Sequence, residues 1–164
     1  IYQFGCLCRD NGIQLLYHNH DFEFVSFSGM YALDFLYAAM PEDVLKTEID
    51  VCWVKYAGED PAAYLRRYAG RAPVVHLKDL VGRQEGDAAP YGLLGQSETK
   101  AAGEVPFEFR PVGYGCQDVS AVAEAGLDAG ARWFVVEQDA SVGRTPLEAA
   151  AMSIDTLRRI GLKG

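Results

Sequence analysis

Positive charge is scarce in this chain. Fifteen Lys and Arg stand against 23 Asp and Glu in 164 residues, a formal net charge of −8. Phosphate backbones are held by clustered Lys and Arg, so a general nucleic-acid surface is excluded. The basic doublets Arg66-Arg67 and Arg158-Arg159 fall on predicted helices and read as solvated faces. No apolar run approaches the roughly 20 residues of a membrane helix, and no membrane partner is expected. Cysteine is sparse: Cys6, Cys8, Cys52 and Cys116 form no CxxC pair. They read as reduced thiols of a cytoplasmic protein, not as a disulfide framework. Histidine is scarcer still, with three in all.

What is present is an ordinary globular composition, 49% hydrophobic, enough for one core and one domain over residues 1–164. Apolar residues at 1, 4, 7 and 8 predict a helix to Asp10, ended by Asn11-Gly12. The chain starts at Ile1 in a pattern that suits the middle of a helix, so a preceding part is expected to be missing. A strand is predicted over Ile13–His20, an aromatic-rich loop over Asp21–Ser28, and a helix over Gly29–Met40 that Pro41 stops. Leu45–Trp53 reads as the second strand. Asp60-Pro61 opens a helix to about Ala69, with Asp60 as N-cap. Pro73 leads into a third strand, VVHLKD. From Val81 to Gly115 glycines and prolines break any period, a functional loop in expectation, with a short strand at Val105–Phe109. Asp118 caps a further helix, Trp133–Asp139 is the fourth strand, and Thr145-Pro146 caps a last helix presenting Leu147, Ala151, Ile154 and Leu157 on one face. The rhythm is four βα units with near-continuously apolar strands, hence an α/β fold with a parallel sheet covered on both faces. Right-handed crossovers bring all four strand C-termini to one end.

Chemistry-bearing residues gather at those ends. The tips supply His18 and His20, Glu48 and Asp50, His76 and Lys78, Glu137 and Asp139, and so include every histidine of the chain. Ionisable groups are costly inside a barrel unless paired or bound to metal. Imidazole and carboxylate from separate strands suit Mn²⁺, Zn²⁺, Co²⁺ or Mg²⁺ with positions open for substrate oxygens. Asp50, His76 and Glu137 lie at one level on adjacent strands and form the strongest trio. Glu48, one layer deeper, is expected to face the substrate or to pair with Lys78. Asp139 is expected to bond the backbone of the Ser141–Arg144 turn.

YHNHDFEF, TEIDVCWVKYAG, VVHLKD and WFVVEQD resemble the strand-end segments of the xylose isomerase-like TIM barrels, the sugar phosphate isomerase/epimerase group. DASVGRTPLEAAAMSIDTLRRIG is similar to the last helix of that group. The resemblance implies a TIM-barrel chain covering about the C-terminal half, with a divalent metal held by His18, Asp50, His76 and Glu137. Where many relatives read Glu-Asn-His, this chain reads His18-Asn19-His20, so the first-strand ligand lies among His18, His20 and Glu23. A full barrel takes about 250 residues. Either an N-terminal half is missing, or half-barrels associate as a homo-oligomer.

The activity so implied is isomerisation or epimerisation of a neutral sugar or keto-sugar by proton transfer through an enediolate that the metal stabilises. Mn²⁺ is the first expectation, with Zn²⁺, Co²⁺ or Mg²⁺ as alternatives. Glu137 would act as base, Lys78 or His20 would return the proton, and Trp53 and Glu48 would contact the substrate. Two alternatives stand beside it: a metal-dependent lyase or dehydratase on a keto-inositol or 3-keto-glycoside, and a non-catalytic half-barrel remnant. Endonuclease chemistry at abasic DNA sites is disfavoured by three histidines and a net charge of −8.

Overall fold

Four helices begin where a side-chain oxygen meets free backbone N–H groups, the one at Val51–Tyr56 among them. In the computed structural model, which describes residues 1–82 and 107–162, Asp60 caps α4 (Pro61–Arg67) through Ala63 N–H. Asp118 caps α5 (Val119–Asp128) through Ala121 N–H. Thr145 and Glu148 form a reciprocal capping box on α6 (Pro146–Arg159), with Pro146 in the first turn. The first helix, α1 (Tyr2–Asp10), ends at Asn11-Gly12, where Gly12 takes φ +74°, open to glycine at no steric cost. The helix before the second long strand, α2, is Ala32–Ala38.

Four strands, β1 (Leu16–His18), β4 (Lys46–Asp50), β5 (Val74–Leu77) and β8 (Trp133–Val136), pair in parallel and in chain order. The two faces of this sheet differ. Ile49, Val75 and Leu77 point to the helices and form the main core with Leu33, Leu65 and Val122. The opposite face carries His18, Glu48, Asp50, Val74 and His76 and ends at β8 in Trp133, 66% exposed, and Val135. Alternation along each strand makes this division.

Several elements differ from the expectation. The second strand stops at Asp50, and Val51–Tyr56 forms a short helix, α3. The Asp50 carboxylate accepts the N–H groups of Cys52 and Trp53 there, so the tip of β4 is also an N-cap. VCWVKY is buried on all sides except near Lys55 and Tyr56, which removes the period that would have marked it as helical. The aromatic-rich loop is partly ordered, with a 3₁₀ turn at Phe22–Phe24 and a small hairpin of β2 (Ser26–Phe27) and β3 (Met30–Tyr31). Within the expected long loop, β6 (Asp79–Val81) pairs antiparallel with β7 (Glu108–Arg110). Residues 83–106 of that loop, including the start of the strand expected at Val105, lie outside the described residues.

On α6 the inward residues are Ala149, Ser153, Thr156 and Leu157, while Leu147 and Ile154 are exposed. This helix docks on backbone: Ser153 Oγ accepts Val112 N–H at 3.0 Å, and Thr156 lies against Gly113. Small and hydroxyl side chains suit that approach better than the leucine face expected.

Candidate metal centre

The strand ends are tied together before any ligand is considered. Asn19, fully buried between the two histidines of β1's tip, accepts Asp50 N–H at 2.9 Å and donates to Asp50 C=O at 3.4 Å. It staples β1 to β4. Asp79, at the end of β5's run, accepts four backbone N–H groups, from Leu80, Gly113, Gly115 and Gln117 at 2.9–3.1 Å. Gln117 in turn donates to Val51 C=O at 2.7 Å. Nothing in the periodicity singled out Asn19 or Gln117, because each acts on backbone distant in sequence.

On this frame three side chains converge. His18 Nε2 lies 3.1 Å from Asp50 Oδ2 and 2.5 Å from His76 Nδ1, and His76 Nδ1 lies 3.3 Å from the same Asp50 oxygen. The ladder places His18 beside Glu48 and Asp50 beside His76, so the His18 ring leans along the strand to close the triangle. Donor atoms sharing one cation at roughly 2.0–2.2 Å sit about 3 Å from one another, the spacing of this triangle. Two imidazoles and a carboxylate are also the donor types for a divalent transition metal. His18, Asp50 and His76 therefore fit a divalent metal, and among the described residues they are the group with that geometry.

Glu137, 44% exposed, lies beyond the triangle. Its Oε2 is 3.2 Å from His76 Nε2 and 2.6 Å from Lys78 Nζ. Lys78 is 3% exposed and is held by Glu137, by Asp139 at 2.9 Å and by Asp50 at 3.7 Å. Its ammonium also sits over the Trp53 and Phe109 rings, 5.5 and 5.2 Å from their centroids. Lys78 does not pair with Glu48, and Asp139 serves Lys78 instead of the following turn. A buried ammonium draws the nearest carboxylates, and Glu48 sits a layer too deep. Glu23 lies outside the triangle: it is buried, accepting Tyr17 OH at 2.7 Å and His20 N–H at 2.9 Å. His20 stacks on Phe22 and faces Trp53 and His18, outside the triangle. Trp53 rides on α3, packed against Tyr56, Phe107 and Phe109, and its buried indole Nε1 has no hydrogen-bond partner among the described residues.

Electrostatics sorts the protons. Burial works against a charged His18, but the Asp50 carboxylate in contact, with Glu48 nearby, outweighs it and raises the imidazole pKa. Burial dominates at His76, and with His18 and Lys78 close by it lowers that pKa despite Asp50 and Glu137. Burial opposes the Lys78 charge and loses to three carboxylates, so Lys78 is raised and stays an ammonium. Burial likewise opposes the Glu137 charge, and Lys78 and His76 overcome it, so Glu137 is lowered and ionised.

No family model and no curated protein matches the sequence. Solved structures do. The chain superposes on a sugar phosphate isomerase/epimerase from Parabacteroides distasonis with a TM-score of 0.70 at 19% identity, over 94% of this chain and 50% of that one. A xylose isomerase domain protein from Alicyclobacillus acidocaldarius gives 0.63 at 16% identity, over 97% and 54%. A D-tagatose 3-epimerase-like protein gives 0.61 at 14%, over 96% and 50%. The chain thus has the xylose isomerase-like TIM-barrel fold and spans about half the length of the structures it matches.

Proposed function

We propose that this chain carries the metal-binding side of a sugar or keto-sugar isomerase or epimerase. The observation that carries the reading is the closed triangle of His18 Nε2, Asp50 Oδ2 and His76 Nδ1 at the C-terminal edge of the parallel sheet. That edge is where barrels of this kind place their chemistry. Its setting in a fold shared with proteins described as isomerases and epimerases supports it further.

His18, Asp50 and His76 would hold a divalent cation, Mn²⁺ first among the candidates, which would supply Lewis acidity toward a substrate carbonyl. Glu137 is ionised and half-exposed, the state and place needed to take a proton from the carbon beside that carbonyl. Lys78 remains charged, so its part is to donate hydrogen bonds to an oxygen gaining negative charge. His20, stacked on Phe22, would return the proton. Trp53, its ring stacked on Phe107, and Glu48 would contact the substrate.

The test is turnover of a ketose and aldose panel followed by NMR in D₂O. Folded Glu137→Gln and His76→Ala should each lose at least about 100-fold in kcat/KM. Full turnover in both would refute the assignment. One feature favours a second reading: His18 puts an imidazole where many relatives carry one of the two carboxylates that would serve epimerisation, and His20 lies beside it. They suit protonation of a departing hydroxyl or aglycone in a lyase. Loss of water or aglycone, as opposed to deuterium incorporation without loss, identifies that chemistry.

A further inference from the structure

We infer that Asn19 is a positioning residue of the metal centre: its amide stands in for a rung of backbone between β1 and β4 and so aims the oxygen that Asp50 offers. The inference rests on the metal reading and concerns what holds that site in shape. The β1–β4 ladder ends at the pair His18 and Glu48. Backbone groups of β4 turn alternately to its two neighbours. Lys46 N–H goes to Leu15 C=O on the β1 side, and Thr47 N–H goes to Arg71 C=O on the β5 side. By the same alternation Asp50 faces β1 and needs an acceptor and a donor beyond the last rung. The main chain has left the ladder by then, with His20 N–H given to Glu23. Asn19 supplies both groups from one side chain, Oδ1 accepting Asp50 N–H at 2.9 Å and Nδ2 donating to Asp50 C=O at 3.4 Å. A carboxamide carries the donor and acceptor of a peptide unit, which is what this fully buried position requires.

With that rung in place, the frame occupies every polar group of Asp50 except one. Its N–H and C=O go to Asn19, and its Oδ1 accepts Cys52 and Trp53 N–H. Oδ2 is left to face His18 Nε2 at 3.1 Å and His76 Nδ1 at 3.3 Å, with Lys78 Nζ farther off at 3.7 Å. The same amide sets how far the tip of β4 stands beyond the end of β1. That offset is the one His18 spans, since the ladder puts it beside Glu48 and its ring reaches on to Asp50. Asn19 thus fixes the relation between two of the three donors while touching neither donor atom. Groups behind the ligands tune metal affinity in this way. Because the amide carries no charge, it acts on the cation only through where it puts Asp50 and His18.

The experiment measures Mn²⁺ affinity by chelator competition on the purified chain, at a temperature where circular dichroism shows each variant folded. Asn19→Ala should weaken binding by about 10–100-fold. Asn19→Ser keeps a hydroxyl able to make one of the two bonds and should fall between Asn19→Ala and the unsubstituted chain. Ser153→Ala is the control: it too takes the acceptor from a buried backbone N–H, that of Val112, but on α6. It should bind within about twofold of the unsubstituted chain. A bond that served stability alone would lower the melting temperature in all three variants and the affinity in none. Asn19 variants that bind as tightly as the unsubstituted chain, while Asp50→Ala and His76→Ala lose binding, overturn the inference and leave the metal reading standing. Failure of both Asn19 variants to fold overturns it too, since the amide would then serve the sheet and not the site. If the unsubstituted chain binds none of Mn²⁺, Zn²⁺ or Co²⁺, both readings fall.

Discussion

His18 and His76 share one carboxylate yet shift in opposite directions, His18 upward and His76 downward. A metal takes the neutral imidazole, so protons and cation compete. Because Asp50 raises His18, acid displaces metal there first, beginning above the ordinary histidine value of about 6.5. Without metal the two shifts oppose each other. His18's raised pKa gives stability that is full below its unfolded value and lost as pH rises through the folded one. His76's lowered pKa gives stability that is full above its unfolded value and lost as pH falls toward the folded one. Between about pH 5 and 8, the melting temperature in EDTA should therefore peak near the ordinary histidine value of about 6.5 and fall on either side, whereas Mn²⁺ affinity should drop up to about tenfold per pH unit on the acid side. Thermal scans paired with metal titrations check this. An affinity that is flat across that range would contradict it.

Among the secondary-structure elements, the β6–β7 hairpin and its return loop hang on Asp79. Replacing it by Ala leaves up to four N–H groups without an acceptor, and urea unfolding should show a loss of about 3–5 kcal/mol. Gly115→Ala should cost about 2 kcal/mol or more, since a Cβ there would overlap the Asp79 carboxylate and the Leu80 carbonyl. A change below about 0.5 kcal/mol in either variant would show that the loop is held by something else. These latches also mark where sequence reading runs out. Asp60-Pro61, Asp118 and Thr145-Pro146 were legible as helix starts because an N-cap acts within three residues. The metal triangle was partly legible, since strand alternation and shared level place Asp50 beside His76. The Lys78 partners were not legible, because which carboxylate reaches a buried ammonium depends on strand stagger. Helix α3 was hidden for a related reason: a segment buried on nearly every side shows neither a period of two nor one of 3.6.

For the whole molecule, the sheet leaves one long side of β1 and of β8 without a strand neighbour among the described residues, and its inner face ends in exposed Trp133 and Val135. Tyr2, Phe4 and Leu7 add an exposed apolar stripe on α1. Surfaces of this kind seek cover. The chain on its own should self-associate at micromolar concentration, and Trp133→Glu should lower the mass seen by sedimentation. A monodisperse monomer with the native tryptophan would count against this.

Asp50 looks in two directions, one oxygen toward the histidines and the other gripping the first turn of α3. An ion drawn to the first oxygen tugs on that turn, and Trp53 travels with it. The indole is then a built-in gauge of occupancy. In a Trp133→Phe background, where Trp53 is the sole tryptophan, titration with Zn²⁺ should change its emission in step with binding, with no label attached.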